Sequence, residues 1–262
     1  MSDMITYEVE DHIARITLNR LEKRNAMTYS MLDDFHAAIR RAGEDEDARV
    51  VIVTGSGGSF CAGTDLSELS ETAQEDRGRG ERPTGTNEAP SWPLLACPKP
   101  VIAAVDGPAV GMGAEFTSQA DVRIASTQAR FAWNFGARGL VPDTGAGTWL
   151  LPRLIGVSQA LRLLYSGAFL DAAQAERLGY VTRVVEPDEL LATATEEARS
   201  YLATSPFATR RTKALTYAGL EREISQHLVH HREALDACFH SEDHQEGVAS
   251  FLERRPPEFT GR

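Results

Sequence analysis

Cysteine is scarce in this 262-residue chain: Cys61, Cys97 and Cys238 are odd in number and far apart. They offer no disulfide framework, and such usage fits a reducing, cytoplasmic setting. No Cys-x-x-Cys pair is present, which argues against a structural zinc site of that type. Long apolar runs are also missing. Stretches such as Val101-Ile102-Ala103-Ala104-Val105 are far too short to span a bilayer. Met1-Ser2-Asp3-Met4 has no basic region leading into an apolar one, so no secretory signal is expected. Positive charge is in deficit, with 27 Lys and Arg against 38 Asp and Glu and a net charge of −11. Such a protein repels phosphodiester backbones, so neither nucleic acid nor membrane is an expected partner. A local basic patch can still grip one anionic small molecule.

Several chemical signatures are absent as well. There is no Gly-x-x-x-x-Gly-Lys-Ser/Thr, no Gly-x-Gly-x-x-Gly near residue 55, and no Gly-x-Ser-x-Gly elbow. His227 and His231 stand four apart on an expected helix, with His230 beside them. No Glu follows His227 and no third ligand has a matching spacing, so a solvated helix face is expected and no metal site.

What is present is ordinary for a globular protein: 42% hydrophobic and 25% charged residues. The length allows one to two domains with a large core. Alternation predicts strands over 5–9 and 13–18, joined by an Asp-His turn. Thr28 is placed to cap a helix carrying Met31, Leu32, Phe35, Ala38 and Ile39, with Gly43 closing it. The β-branched run 49–55 predicts a buried strand. Strand pattern returns after Lys99-Pro100 and again at 121–125, and 126–150 is irregular. From 158 the pattern is helical, over 158–165, 171–178, 187–204, a long stretch near 207–239, and a last helix with Val248, Phe251 and Leu252. Strands and helices first, then helices only, make an α/β core of residues 1–200 followed by a helical region of 201–262. Residues 70–91 hold only Ala73 and Ala89 as apolar residues and eight charged ones. Burial cannot offset the ordering entropy of such a stretch, which reads as a mobile loop, either a lid or a plain surface insertion.

Three glycine-bearing turns follow strands: 55–66, 107–113 and 139–147. Glycine lets backbone approach a ligand closely, and helix starts present free N–H groups. Two such turns facing each other would make an oxyanion hole. Each taken singly is also compatible with a tight connection and nothing more.

Taken together, these segments resemble the enoyl-CoA hydratase/isomerase, or crotonase, superfamily over nearly the whole chain. The resemblance runs through Asn19-Arg20-Leu21-Glu22-Lys23-Arg24-Asn25-Ala26-Met27, with Leu21 where the family usually has Pro. It continues through Phe60-Cys61-Ala62-Gly63-Thr64-Asp65-Leu66 and Lys99-Pro100-Val101 to Asp106-Gly107. It ends with Phe251-Leu252-Glu253-Arg254-Arg255 and Phe259-Thr260-Gly261-Arg262. Gly139 to Asp143 and Trp149 to Arg153 bring it closest to 1,2-epoxyphenylacetyl-CoA isomerase-like and dienoyl-CoA isomerase-like members.

The resemblance implies a crotonase fold of repeated ββα units, with C-terminal helices that assemble the chain into a homotrimer or a hexamer of two trimers. It implies an acyl-CoA thioester substrate, as in fatty acid metabolism, with coenzyme A as part of that substrate and no separate cofactor. The backbone N–H groups of Thr64 and Met112 match the oxyanion-hole positions, Met112 standing where the family usually has Gly. Lys23, Arg24, Ala26, Ala62, Asp65 and Leu66 match the CoA-holding region, and Phe251 and Arg254 match C-terminal positions that reach CoA, often from a neighbouring subunit. Family hydratases use two glutamates. Glu115 matches the first, but Phe135 stands at the second and cannot transfer a proton. Asp143 lies where family isomerases and dehalogenases carry an acid. Trp133, Phe135 and Trp149 either line an acyl pocket or fill the core. The expected reaction is a double-bond shift through an enolate, with Asp143 and Glu115 as the proton-transfer residues. Hydration across the 2,3 double bond, nucleophilic chemistry at Asp143 and a catalytically weak acyl-CoA binder are the alternatives.

Overall fold

The computed structural model describes residues 3–65, 67 and 92–262. Leu66 and the whole polar stretch over 70–91 thus lie outside the described residues. The chain builds a six-stranded sheet in the order β1-β2-β3-β4-β6-β9. Its strands are β1 (Ile5–Glu10), β2 (Ile13–Leu18), β3 (Val50–Gly55), β4 (Val101–Val105), β6 (Val122–Ser126) and β9 (Arg183–Val185). The β1–β2 hairpin is antiparallel and every later pairing is parallel. Asp11 and His12 both take left-handed φ, of 49° and 63°, in the hairpin turn. A second sheet joins β5 (Pro108–Val110), β7 (Arg130–Ala132) and β8 (Leu170–Asp171).

Two-residue periodicity sends the sides of the large sheet into different cores. Ala14, Ile16, Leu18, Val51, Val53, Val101, Ala103 and Val105 meet Met31, Phe35, Ala38 and Ile39 of helix α1 (Tyr29–Glu44). Ile13, Val50, Ile52, Ile102, Ala104 and Ile124 meet Leu190, Ala194 and Ala198 of a later helix, Leu190–Leu202. Burial on both faces explains why β3 and β4 read as unbroken apolar runs. The Thr28 hydroxyl caps α1 by accepting from Met31 N at 3.1 Å. The helix runs one residue past Gly43, whose missing Cβ leaves room for Pro98.

The irregular stretch 126–150 contains strand β7, a short 3-10 turn at Gly136–Arg138 and a one-turn helix at Ala146–Trp149. These elements are too short to leave a periodic pattern. The long helical stretch near 207–239 is two helices, Pro206–Gly219 and Ile224–Phe239. Gly219 packs against the His227 ring, where a Cβ would come within 2.9 Å of Nδ1. Lys213 ties the first of them to the core, with Nζ 2.8 Å from the Asp121 carboxylate and also donating to the Leu94 and Lys99 carbonyls. The last two helices leave Ile224, Val229, Phe239, Val248, Phe251 and Leu252 exposed.

The parallel strands all point to one edge of the sheet. The segments that follow β2, β3 and β4 therefore emerge side by side, and the candidate site forms there.

Candidate active site

The segments after β3 and β4 are zipped together by backbone. Phe60 and Cys61 N–H donate to the Pro108 carbonyl, and Val110 N–H returns to the Cys61 carbonyl at 2.9 Å. Gly63 and Gly111 meet at the apex of this contact. Gly63 has φ +100°, and a Cβ on it would stand 2.9 Å from the Val110 carbonyl oxygen and 3.9 Å from Met112 N. Gly111 has φ +54°, and its Cβ point lies 4.0 Å from the Gly63 Cα. Only glycine takes both the conformation and the approach without strain. The left-handed turn thus falls on Gly111, which leaves Met112 a normal φ at the first turn of α2 (Met112–Gln119). A side chain is tolerated there for that reason. Among the described residues neither Thr64 N–H nor Met112 N–H has an intramolecular acceptor. Two unsatisfied amides on facing loops can stabilise a developing oxyanion.

A third loop braces Thr64. Met27 N–H donates to the Gly63 carbonyl and Asp65 N–H to the Met27 carbonyl, each at 2.7 Å. Arg24 and Asn25 both take left-handed φ, and the buried Asn25 amide donates to the Ser56 and Ser59 carbonyls at 3.0 and 2.7 Å. Ala62 N–H donates to the Arg24 carbonyl at 3.0 Å. The structure therefore brings Lys23, Arg24, Ala26, Ala62 and Asp65 together beside Thr64, with Lys23 and Arg24 exposed. The Asp65 carboxylate is buried and already engaged, by the Ser67 hydroxyl and by Arg20 at 2.7 Å. Those hydrogen bonds hold its pKa down at about 2.

The acids arrive from two further elements. Glu115 lies on α2, three residues after Met112, and is fully buried. Its Oε2 accepts from the Thr144 hydroxyl at 2.7 Å, whereas Oε1 has no hydrogen-bond partner among the described residues. Gly147 closes over it, since a Cβ there would lie 2.4 Å from Oε1. Burial pushes the carboxyl up to about 7, opposed by Thr144 and by the Gly147 and Ala146 amides and aided by the charge of Asp143. A carboxyl near neutrality suits proton transfer in either direction. Asp143 sits one residue before Thr144 and keeps access to solvent, yet the surrounding protein raises its pKa, desolvation being the main cause. Asp143 also raises the thiol of buried Cys61, which burial pushes to about 12. Glu115, Asp143 and the Cys61–Thr64 loop thus share one electrostatic neighbourhood.

The aromatic residues divide. Phe135 is nearly buried, its Cζ 3.8 Å from the Cβ point of Gly111, and so sits against the Met112 loop. Trp133 is wholly buried and packs edge-on against Tyr180 at 5.3 Å. Trp149 is half-buried against Trp92, with ring centres 5.4 Å apart. Phe251 lies exposed on the last helix, Glu242–Glu253, and Arg254 exposed at its C-cap, and among the described residues no hydrogen bond or ion pair joins them to these loops. The cleft walled by Lys99, Tyr201, Arg210 and Arg262 shares none of the site residues. Among the described residues no cluster of His, Cys, Asp and Glu is suited to a metal ion. Sequence reasoning did not single out Thr144 or Trp92. A hydroxyl next to a candidate acid, in Pro142-Asp143-Thr144-Gly145, was the available signal for the first.

Two amides without an acceptor among the described residues, and a buried carboxyl three residues along the same helix from one of them, make a site suited to stabilising charge and moving protons on a bound ligand. Comparisons with known proteins fix the family. The family model described as enoyl-CoA hydratase/isomerase matches residues 8–262. A short-chain-enoyl-CoA hydratase of Clostridium acetobutylicum is 36% identical over 252 residues, covering 96% of this chain and 95% of that protein. A 1,2-epoxyphenylacetyl-CoA isomerase of Escherichia coli is 34% identical over 276 residues, covering 100% of each. The crystal structure of an enoyl-CoA hydratase from Mycobacterium tuberculosis H37Rv superposes with a TM-score of 0.89 at 31% identity, covering 100% of each chain. This chain belongs to the enoyl-CoA hydratase/isomerase family and has the crotonase fold.

Proposed function

We propose that this enzyme moves a double bond in an enoyl-CoA thioester. The observation that carries the reading is that buried Glu115 feels the charge of Asp143; the family resemblance adds that Phe135 takes the position of the second hydratase glutamate. The Thr64 and Met112 amides hold the thioester oxygen. Asp143 takes a proton from the carbon next to the thioester carbonyl, and the electron pair spreads into a dienolate. Glu115, carrying its proton, returns one at the far end of the conjugated system. Asp143 then gives up its proton and Glu115 regains one, by exchange with solvent, which restores both acids for the next turnover. Each fixed backbone donor contributes about 3–4 kcal/mol of transition-state stabilisation.

Lys23 and Arg24, with Ala26, Ala62, Asp65 and Leu66, are assigned to the CoA moiety, which enters as part of the substrate with no further cofactor. Exposed Phe251 and Arg254 are assigned to the CoA of a neighbouring copy in a homotrimer or hexamer. That reading gives the exposed apolar side chains of the last two helices an occupant. No helix among the described residues is long and apolar enough to cross a membrane. A cytoplasmic setting fits the three free cysteines.

The test is incubation in heavy water with 2-enoyl-, 3-enoyl- and arylacetyl-CoA thioesters, followed by product masses. Deuterium uptake with a displaced double bond and no added water is expected. A product heavier by one water would replace isomerisation with hydration by Glu115 and Asp143. Binding without turnover of any thioester would make the chain an acyl-CoA binder.

A further inference from the structure

We infer that Trp92 is a positioning residue for the two acids and acts on them through Thr144. The inference rests on reading Glu115 and Asp143 as the proton-transfer pair. Asp143 lies between Gly139 and the helix at Ala146–Trp149, in a turn that includes the weak Gly145 N–H contact to the Pro142 carbonyl at 3.3 Å. Outside contacts must therefore hold it, and Thr144 makes two. Its hydroxyl donates to Glu115 Oε2 at 2.7 Å, and its carbonyl accepts from the Trp92 indole N–H at 2.7 Å. One residue thus joins the buried acid to an indole from a distant part of the chain.

That indole is firmly mounted. Trp92 caps the short helix Pro93–Ala96, accepting from Ala96 N–H at 2.8 Å, and Pro93 and Leu94 after it are buried. The Leu94 carbonyl accepts from Lys213. On its other side the Trp92 ring rests on Trp149, which is covered in turn by the Arg153 guanidinium at 3.9 Å. An N–H fixed from both sides can set where the Thr144–Gly145 peptide stands, and with it the Thr144 hydroxyl and the adjoining Asp143.

Removing that donor lets the turn drift and draws the Thr144 hydroxyl away from Glu115. The groups facing Glu115 are then Asp143 from the turn, buried Tyr180 from behind and the Ala146 and Gly147 amides, with Cys61 beyond Asp143. Burial holds the Tyr180 hydroxyl and the Cys61 thiol neutral, so neither brings a charge to Glu115, and the Tyr180 hydroxyl is already engaged by Thr117 and Ser118. Glu115 should titrate at higher pH without Thr144 or without its tether.

The experiment follows the Glu115 carboxyl by carbon NMR in protein labelled at glutamate side chains, with Glu115→Gln giving the assignment. Steady-state pH profiles are recorded beside it for wild type, Thr144→Val, Thr144→Ser and Trp92→Phe. Trp92→Phe keeps a ring against Trp149 and removes only the donor. Thr144→Val and Trp92→Phe should both raise the Glu115 titration, the first more than the second, while Thr144→Ser keeps it. Trp92→Phe should lower kcat about tenfold with KM within about twofold, the pattern of misplaced catalytic groups. An unchanged Glu115 titration in Trp92→Phe overturns the inference, whatever happens to turnover. Wild-type protein inactive on every thioester would instead remove the proposed function, and the NMR titration would still decide the role of Trp92.

Discussion

The wall bearing the Thr64 and Met112 amides is fixed by backbone, whereas the wall bearing Glu115 and Asp143 is fixed by side chains. On the first wall, strand-like pairing zips 60–61 to 108–110 and brackets Thr64 from Met27. Few side chains are specified there beyond two glycines and the Asn25 amide. On the second wall, a hydroxyl, an indole and a close glycine hold a buried acid and an exposed one. Under the proposed reaction, charge stabilisation is thus a property of the frame, and proton transfer a property of a few exchangeable side chains. A family built this way can keep one oxyanion site and change its reaction by altering the acid wall.

The comparison breaks first at Asp143. Asp143→Asn should lower kcat about a thousandfold and leave KM nearly unchanged, measured on the 3-enoyl thioester. A loss below about threefold would move proton abstraction elsewhere.

The buried acid has a thermodynamic signature of comparable size. Its folded pKa of about 7 lies above the ordinary 4.5. The stability gained from that proton is complete below pH 4.5 and is lost as pH rises through 7. Glu115→Gln should therefore stabilise the protein by up to about 3 kcal/mol at pH 8 and lose that advantage by about pH 4.5. Chemical denaturation at the two pH values checks it, and equal effects at both would place the group in a more polar setting than described.

The amide wall is probed by Gly111→Ala, which strains a φ of +54° and shifts Met112 N–H. A drop in kcat of about a hundredfold is expected, the order of one lost oxyanion donor, with the Glu115 titration unmoved. A change in that titration would show the walls to be coupled. The smallest effect concerns the frame alone. Asn25→Ala leaves the Ser56 and Ser59 carbonyls without their donor and should cost about 2 kcal/mol in urea unfolding.

The same division marks what could be read in the sequence. Strands β1 to β4, α1 with its Thr28 cap and the facing glycine turns were legible because periodicity and glycine report backbone geometry directly. The three strands of the small sheet were not, since runs of two or three residues carry no period. Glu115 and Asp143 stood out through the family pattern. Thr144 and Trp92 did not, because their pairing spans 52 residues and depends on how a turn and a short helix pack. Nor did sequence show that Trp133 lies wholly in the core while Phe135 touches the Met112 loop.

The most direct test of the central claim is exchange at the substrate itself. Wild type and Asp143→Asn would be incubated in heavy water with a 3-enoyl-CoA thioester, and deuterium at the far carbon of the shifted system, where Glu115 returns a proton, followed by mass and proton NMR. Rapid incorporation with a displaced double bond in wild type, and neither in Asp143→Asn, is the predicted result. Equal incorporation by both proteins, or a water-adduct product from wild type, would contradict it.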